Sequence, residues 1–182
     1  MRTWIASLAL IAGLTVGSLR ADDKGTEVEL DGMKSMAPAA WKEEAPSSSM
    51  RLTQFKIPKV DGDDKDAELA VFFFKGGSGS LDANLKRQQA KFEAPEDGKL
   101  NEKIEKLKVG ARDATLQDIT GTFLEKFPPF APNAKITRKP NYRQLYVVFD
   151  GEGGSYYLAL LGPAKTVEKH KADFVEFLKK FK

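Results

Sequence analysis

The chain contains no cysteine. That absence excludes disulfides, thiolate nucleophiles, iron–sulfur clusters and cysteine-ligated zinc together. Histidine is nearly missing as well, with His170 the single example, which removes the multi-histidine metal sites and leaves one residue for any Ser/His or similar arrangement. No strong excess of one charge is present: 29 basic and 26 acidic side chains give a formal net charge of +3. A balance of this kind offers no electrostatic footprint for nucleic acid. What remains is a globular mixture, 41% hydrophobic and 30% charged over 182 residues, near the usual size of one compact domain.

The first segment reads as an address label. Met1 and Arg2 give a short positive start, and Trp4 to Val16 follow without a charge. A membrane-spanning helix needs about 20 apolar residues, so this run has the length of a secretory core and not of an anchor. Gly17-Ser18-Leu19-Arg20-Ala21 supplies small residues for cleavage after Ala21, with cleavage after Ser18 as the alternative. The expected division is a signal peptide over 1–21 and a single domain over 22–182. Loss of Arg2 and Arg20 leaves 27 basic against 26 acidic side chains, a net charge of +1. The expected location is periplasmic or extracellular, with no stable membrane insertion and no cysteine for a lipid anchor.

Along the remaining chain, Glu27-Val28-Glu29-Leu30 alternates as a short strand before the Asp31-Gly32 turn, and Met33 to Met36 continues extended. Arg51 to Ile57 is a strand whose alternation holds from Thr53 onward and breaks at Leu52. Glu68 to Phe74 is an apolar run too continuous for a solvated edge, so it is read as a central strand. After Gly76-Gly77-Ser78-Gly79-Ser80, the spacing of Leu81, Leu85, Gln88 and Phe92 is helical, with Ser80 or Asp82 as cap and Pro95 and Gly98 as terminators. Lys106–Val109 and Ala114–Phe123 read as paired strands about the Gly110–Asp113 turn. Phe127 to Pro140 carries four prolines and reads as loop or polyproline-like chain. Leu145–Phe149 and Tyr156–Leu161 form a hairpin, and from Thr166 the residues Val167, His170, Phe174, Phe177, Leu178 and Phe181 mark the apolar face of a closing helix. Short connections between strands force antiparallel pairing, which gives an α+β class with an antiparallel sheet flanked by helices.

Four constellations bear on chemistry. Asp61, Asp63, Asp64, Asp66 and Glu68 offer oxygen ligands, but Lys65 at the fifth position and Asp66 at the sixth fail the calcium-loop pattern; a solvated loop is the expected reading, and no metal site is assigned. Gly76 to Ser80 lies between strand and helix, where backbone amides cradle anions, yet it matches neither phosphate fingerprint and Asp82 competes for the same amides; a flexible turn before a capped helix is expected. His170 falls on an apolar helix face with no adjacent nucleophile, so it reads as a packed boundary histidine and no catalytic residue is assigned. Phe127-Pro128-Pro129-Phe130 stands apart. Aromatics on a proline-stiffened loop form a rigid contact patch that loses little entropy on binding, although burial against the sheet is the commoner fate of such side chains. Phe127 and Phe130 are therefore the candidate binding residues.

The proline-flanked Trp41, the strand entry Met50-Arg51-Leu52, the glycines before Leu81-Asp82-Ala83-Asn84-Leu85, and Gly162-Pro163 before Thr166-Val167 resemble the PsbP-like group. That group is named for the extrinsic protein of the photosynthetic oxygen-evolving complex. More closely, the chain is similar to small exported bacterial proteins of that fold with no assigned role. The resemblance spans about residues 27 to 181 and implies an α/β/α sandwich, with motifs that are structural and not catalytic. The expected function is an exported, non-catalytic accessory or binding domain for a protein or small-molecule ligand, without cofactor. The alternative is a hydrolase acting through two carboxylates on an envelope polysaccharide, which needs no histidine but has no signature selecting two of the 26 acids.

Overall fold

The computed structural model describes residues 25–94, 98, 100–129 and 131–182; residues 1–21, read above as a signal peptide, and Phe130 lie outside them. In chain order the elements are β1 (Glu27–Leu30), β2 (Met33–Met36), β3 (Lys42–Glu44), β4 (Arg51–Ile57), β5 (Ala67–Lys75), α1 (Leu81–Gln89), β6 (Phe92–Glu93), β7 (Asn101–Val109), β8 (Arg112–Phe127), β9 (Lys135–Gly151), β10 (Gly154–Pro163) and α2 (Ala164–Lys179). β1 and β2 form a separate hairpin. The other strands make one eight-stranded sheet in the order β3-β4-β5-β10-β9-β8, with β6 and β7 following one another along the outer side of β8. Every pairing is antiparallel. The chain is therefore α+β, as its short connections require.

Strand alternation sends two sets of side chains to opposite faces. On one face Phe55, Leu69, Leu145, Val147, Leu158 and Leu160 pack against Val167, Phe174, Phe177 and Leu178 of α2, all of them buried. Each such apolar side chain contributes about 1.5–3 kcal/mol on burial, and this layer is the main core. On the other face Tyr146, Val148 and Tyr157 meet Phe72, Phe74 and Leu85 of α1. The α1 contact is otherwise polar, since its buried residues are Asn84 and Gln88. Gln88 Oε1 accepts from Gln144 Nε2 at 3.0 Å and from Lys91 Nζ at 2.7 Å.

Trp41 lies in the main core, with its ring 5.9 Å from that of Phe177 and 6.4 Å from that of Phe174. His170 is the buried neighbour expected of a helix-face histidine. Its Nδ1 accepts from Trp41 Nε1 at 3.4 Å and its Nε2 lies 3.1 Å from the Pro58 carbonyl, so the neutral Nε2–H tautomer satisfies both partners.

Several elements depart from the sequence reading. Phe92 belongs to β6 and not to the helix: α1 ends at Gln89, and Phe92 is buried with Ile119 and Tyr142 in a third apolar cluster. The closing helix begins at Ala164, and Phe181 packs beyond its end, where Lys182 exchanges backbone hydrogen bonds with Lys34 (2.9 and 3.1 Å). The break in alternation at Leu52 is a β-bulge, since Arg51 pairs with Phe72 and Thr53 with Val71.

The proline-rich stretch is the largest correction. β8 runs to Phe127 and β9 starts at Lys135, so only the segment between them is loop. Pro140 sits inside β9, opposite a register shift. Tyr142 pairs with Gly121 and Lys139 with Phe123, which sets Pro140 and Asn141 against Thr122 alone. An unpaired bulge position does not use the N–H that proline lacks, and Asn141 takes the positive φ of +56°.

Candidate functional site

The bulge divides the β8–β9 pair into two parts. Before it, the strands are central in the sheet; after it, β6 still flanks Phe123, and residues 124–127 and 135–138 continue as a two-stranded arm. The base of this arm is braced. Phe123 stacks on Tyr142 at 6.1 Å and contacts Phe92 at 5.4 Å, while Leu124 N donates to Lys91 O at 2.8 Å. Arg138 grips Glu93 through two hydrogen bonds of 2.9 and 3.0 Å, and Lys139 pairs with Glu125 at 2.5 Å. The Arg138 hydrogen bond holds the Glu93 carboxyl below its ordinary range.

The tip is open. Phe127 leaves 72% of its surface exposed and Ile136 48%, so Phe127 does not fold back over the sheet, which is the commoner fate of an aromatic. Register places Phe127 beside Lys135 on one face of the ribbon and Ile136 beside Lys126 on the other. Each face thus presents one apolar and one cationic side chain together. Among the described residues, neither Lys126 nor Lys135 has an ion-pair partner. Sequence reasoning found Phe127 from its prolines; it missed Lys135 and Ile136, because the adjacency comes from strand pairing through residues read as loop.

A concavity of about 370 Å³ opens between the start of α1 and the sheet. The glycine run reaches it with Gly76, Gly77 and Gly79 all at positive φ (+73°, +84° and +97°), a path that L side chains resist. Ser80 caps α1, its Oγ accepting from Ala83 N at 3.2 Å. The polar groups here bond to one another: Lys106 Nζ to Thr115 Oγ1 at 2.9 Å, Ser155 Oγ to Asp150 Oδ1 at 2.6 Å, and Ser78 Oγ to Tyr157 OH at 2.8 Å. The arrangement fits a capped helix after a turn.

The acidic loop is not simply solvated, contrary to expectation. Asp63 Oδ2 accepts from the backbone N and Oγ1 of Thr166 at 2.9 and 2.6 Å. Asp66 Oδ1 accepts from Lys59 N at 2.8 Å and its Oδ2 lies 3.2 Å from Lys56 Nζ, while Glu68 pairs with Arg51 at 2.8 Å. Three of the five acids are thereby committed to the fold. A carboxyl general acid needs a raised pKa, whereas the carboxyls that shift among the described residues, Asp66, Glu93, Asp113, Asp118 and Glu176, all move down.

The comparisons with known proteins bear on the fold. A solved structure of cyanobacterial PsbP (CyanoP) from Synechocystis sp. PCC 6803 superimposes with a TM-score of 0.54 at 12% identity, covering 96% of this chain and 98% of that one. The fold is PsbP-like. No family model and no curated protein matches the chain. Among the described residues, no helix is long and apolar enough to cross a membrane.

Proposed function

We propose that the chain is an exported, non-catalytic accessory domain that holds a protein partner with the tip of the β8–β9 arm. The observation that carries this reading is Phe127, 72% exposed at the end of a ribbon whose base is fixed by the Glu93–Arg138 and Phe123–Tyr142 contacts. A large aromatic held in water by a braced element is poised to bury area on binding without ordering a loop first. Lys126 and Lys135 beside the apolar groups favour a partner surface that combines acidic and apolar side chains. A protein suits this convex ribbon better than a small molecule, which binds in concavities. The sequence of residues 1–21, read as a signal peptide, and the PsbP-like fold support an exported accessory role.

Native mass spectrometry on the protein recovered from the extracytoplasmic fraction of its host tests both parts. The expected spectrum shows a mass that begins at residue 22, or 19 for the alternative cleavage, together with a partner-bound species. An uncleaved mass would overturn the signal peptide, absence of the chain from that fraction would overturn export, and a bare chain at every protein concentration would overturn the capture of a partner.

A further inference from the structure

β7 is the longest open edge of the sheet, nine residues from Asn101 to Val109, and among the described residues it pairs only with β8. We infer that a second copy of this chain occupies that edge, its β7 antiparallel to the first with Ile104 opposite Ile104. Charges on an edge strand ordinarily keep other strands away. Here they are arranged to accept one partner. Glu102-Lys103-Ile104-Glu105-Lys106 is a palindrome with its charges inverted about Ile104. Antiparallel pairing about that centre sets Lys103 against Glu105 of the second copy, and Glu102 against Lys106, twice each by symmetry. A slip by two residues sets Lys103 against Lys103 or Glu105 against Glu105. Directly opposed like charges destabilise a sheet and unlike charges support it, so the charges choose one register.

Backbone geometry agrees with the same centre. Gly110 and Ala111 form a two-residue turn closed by the Val109/Arg112 pair. The closing pair of such a hairpin exchanges both hydrogen bonds, and bonding alternates from there. Asn101, Lys103, Glu105 and Leu107 therefore turn their N–H and C=O groups toward β8, while Glu102, Ile104, Lys106 and Lys108 turn theirs outward. A dyad at Ile104 brings outward groups onto outward groups and closes about six hydrogen bonds. At its centre Ile104, 52% exposed, gains an apolar neighbour.

The Lys103 and Glu105 pairs carry the selectivity. Glu102 is already held by Gln89 Nε2 at 2.8 Å and Gln117 Nε2 at 2.5 Å, whereas among the described residues Lys103 and Glu105 pair only with each other, at 2.5 Å. This interface is separate from the arm, because β7 lines the Arg112–Thr120 half of β8 and the tip lies at the other end.

Sedimentation equilibrium over a wide concentration range tests it on four proteins. The unchanged protein should show a monomer–dimer equilibrium. Lys103→Glu alone, or Glu105→Lys alone, should raise the dissociation constant about tenfold or more. The double change Lys103→Glu/Glu105→Lys restores opposed charges and should return the constant to within about threefold of the original. Thermal melts of all four proteins report that the fold is intact. A monomer at the highest soluble concentration would overturn the inference, as would a dimer in which the double variant is as weak as the single ones.

Discussion

Asp63 caps a helix that begins at Ala164, far along the chain. Its Oδ2 takes both the backbone N–H and the hydroxyl of Thr166, at 2.9 and 2.6 Å, and so supplies to α2 the cap that Pro163 at the N-cap position does not. Val60 N closes the arrangement by donating to Thr166 Oγ1 at 3.2 Å. The β4–β5 loop is thus a fastening for the helix that covers the main core. Asp63→Ala should cost about 1 kcal/mol, within the usual range of roughly 0.5–2 kcal/mol for lost caps, and urea unfolding measures it.

The same assignment separates a cap from a calcium site. With Asp63 bound to Thr166, and Asp66 to Lys56 and Lys59, both carboxylates are already committed to protein groups. Addition of a chelator should leave the melting temperature unchanged, and differential scanning calorimetry with and without it checks this directly.

Asp118 introduces acid sensitivity. Its buried carboxylate takes two hydrogen bonds from Arg143, at 2.7 and 2.6 Å, and one from Lys171 of α2 at 2.8 Å. Burial acts to raise its pKa, but the hydrogen bonds and charges of Arg143 and Lys171 outweigh burial and hold it below the ordinary value. A carboxyl lowered in the folded state contributes stability that is complete above the unfolded value of about 3.9 and is lost as pH falls through the folded value. Asp118→Asn should remove this part of the acid sensitivity below about pH 4. Asp118→Ala should cost about 3 kcal/mol at neutral pH, since it leaves Arg143 and Lys171 short of their buried counter-charge. Melting curves from neutral pH into acid report both effects.

Phe127 contributes little to stability in the free protein, because its ring is largely in water. Phe127→Ala should therefore shift the unfolding free energy by less than about 0.5 kcal/mol while abolishing partner capture. Urea unfolding and partner capture measured on the same variant check both halves, and unchanged capture would contradict the role of the ring.

Phe181 and Lys182 form a structural clamp. Phe181 is buried against Phe177 at 5.0 Å, and Lys182 bonds twice to Lys34. Removal of these two residues should cost about 2–4 kcal/mol from lost burial and hydrogen bonds. Gly110 lies against the same clamp, with φ at +55° and space for a Cβ only 2.3 Å from Phe181 O. Gly110→Ala should destabilise comparably, and chemical denaturation measures both.

Local rules carried far in this sequence, and failed where a partner was distant. Alternation in Thr53–Ile57, the apolar run before Phe74 and the spacing of Val167, Phe174, Phe177 and Leu178 each identified an element and its buried face. Even the fault at Leu52 was visible as a break in alternation, and the register of β4 on β5 makes it a bulge. Pro140 misled because a proline reads as loop until Thr122 is known to face two residues. Phe92 kept helical spacing after the helix had ended, and the fact that decides it is its pairing with Phe123. Asp63 looked solvated because Thr166 is remote. At the arm, the aromatic and its prolines were legible while its cationic and apolar neighbours, Lys135 and Ile136, emerged only with strand register.

Photo-crosslinking from the arm tests partner recognition most directly. A photoreactive phenylalanine analogue replaces Phe127, and a second protein carries it at Lys75, at the exposed end of β5. Both are illuminated in the extracytoplasmic compartment of the host. The expected result is one discrete adduct from position 127 that is absent from position 75. No adduct from position 127, or the same adducts from both positions, would contradict recognition by the arm.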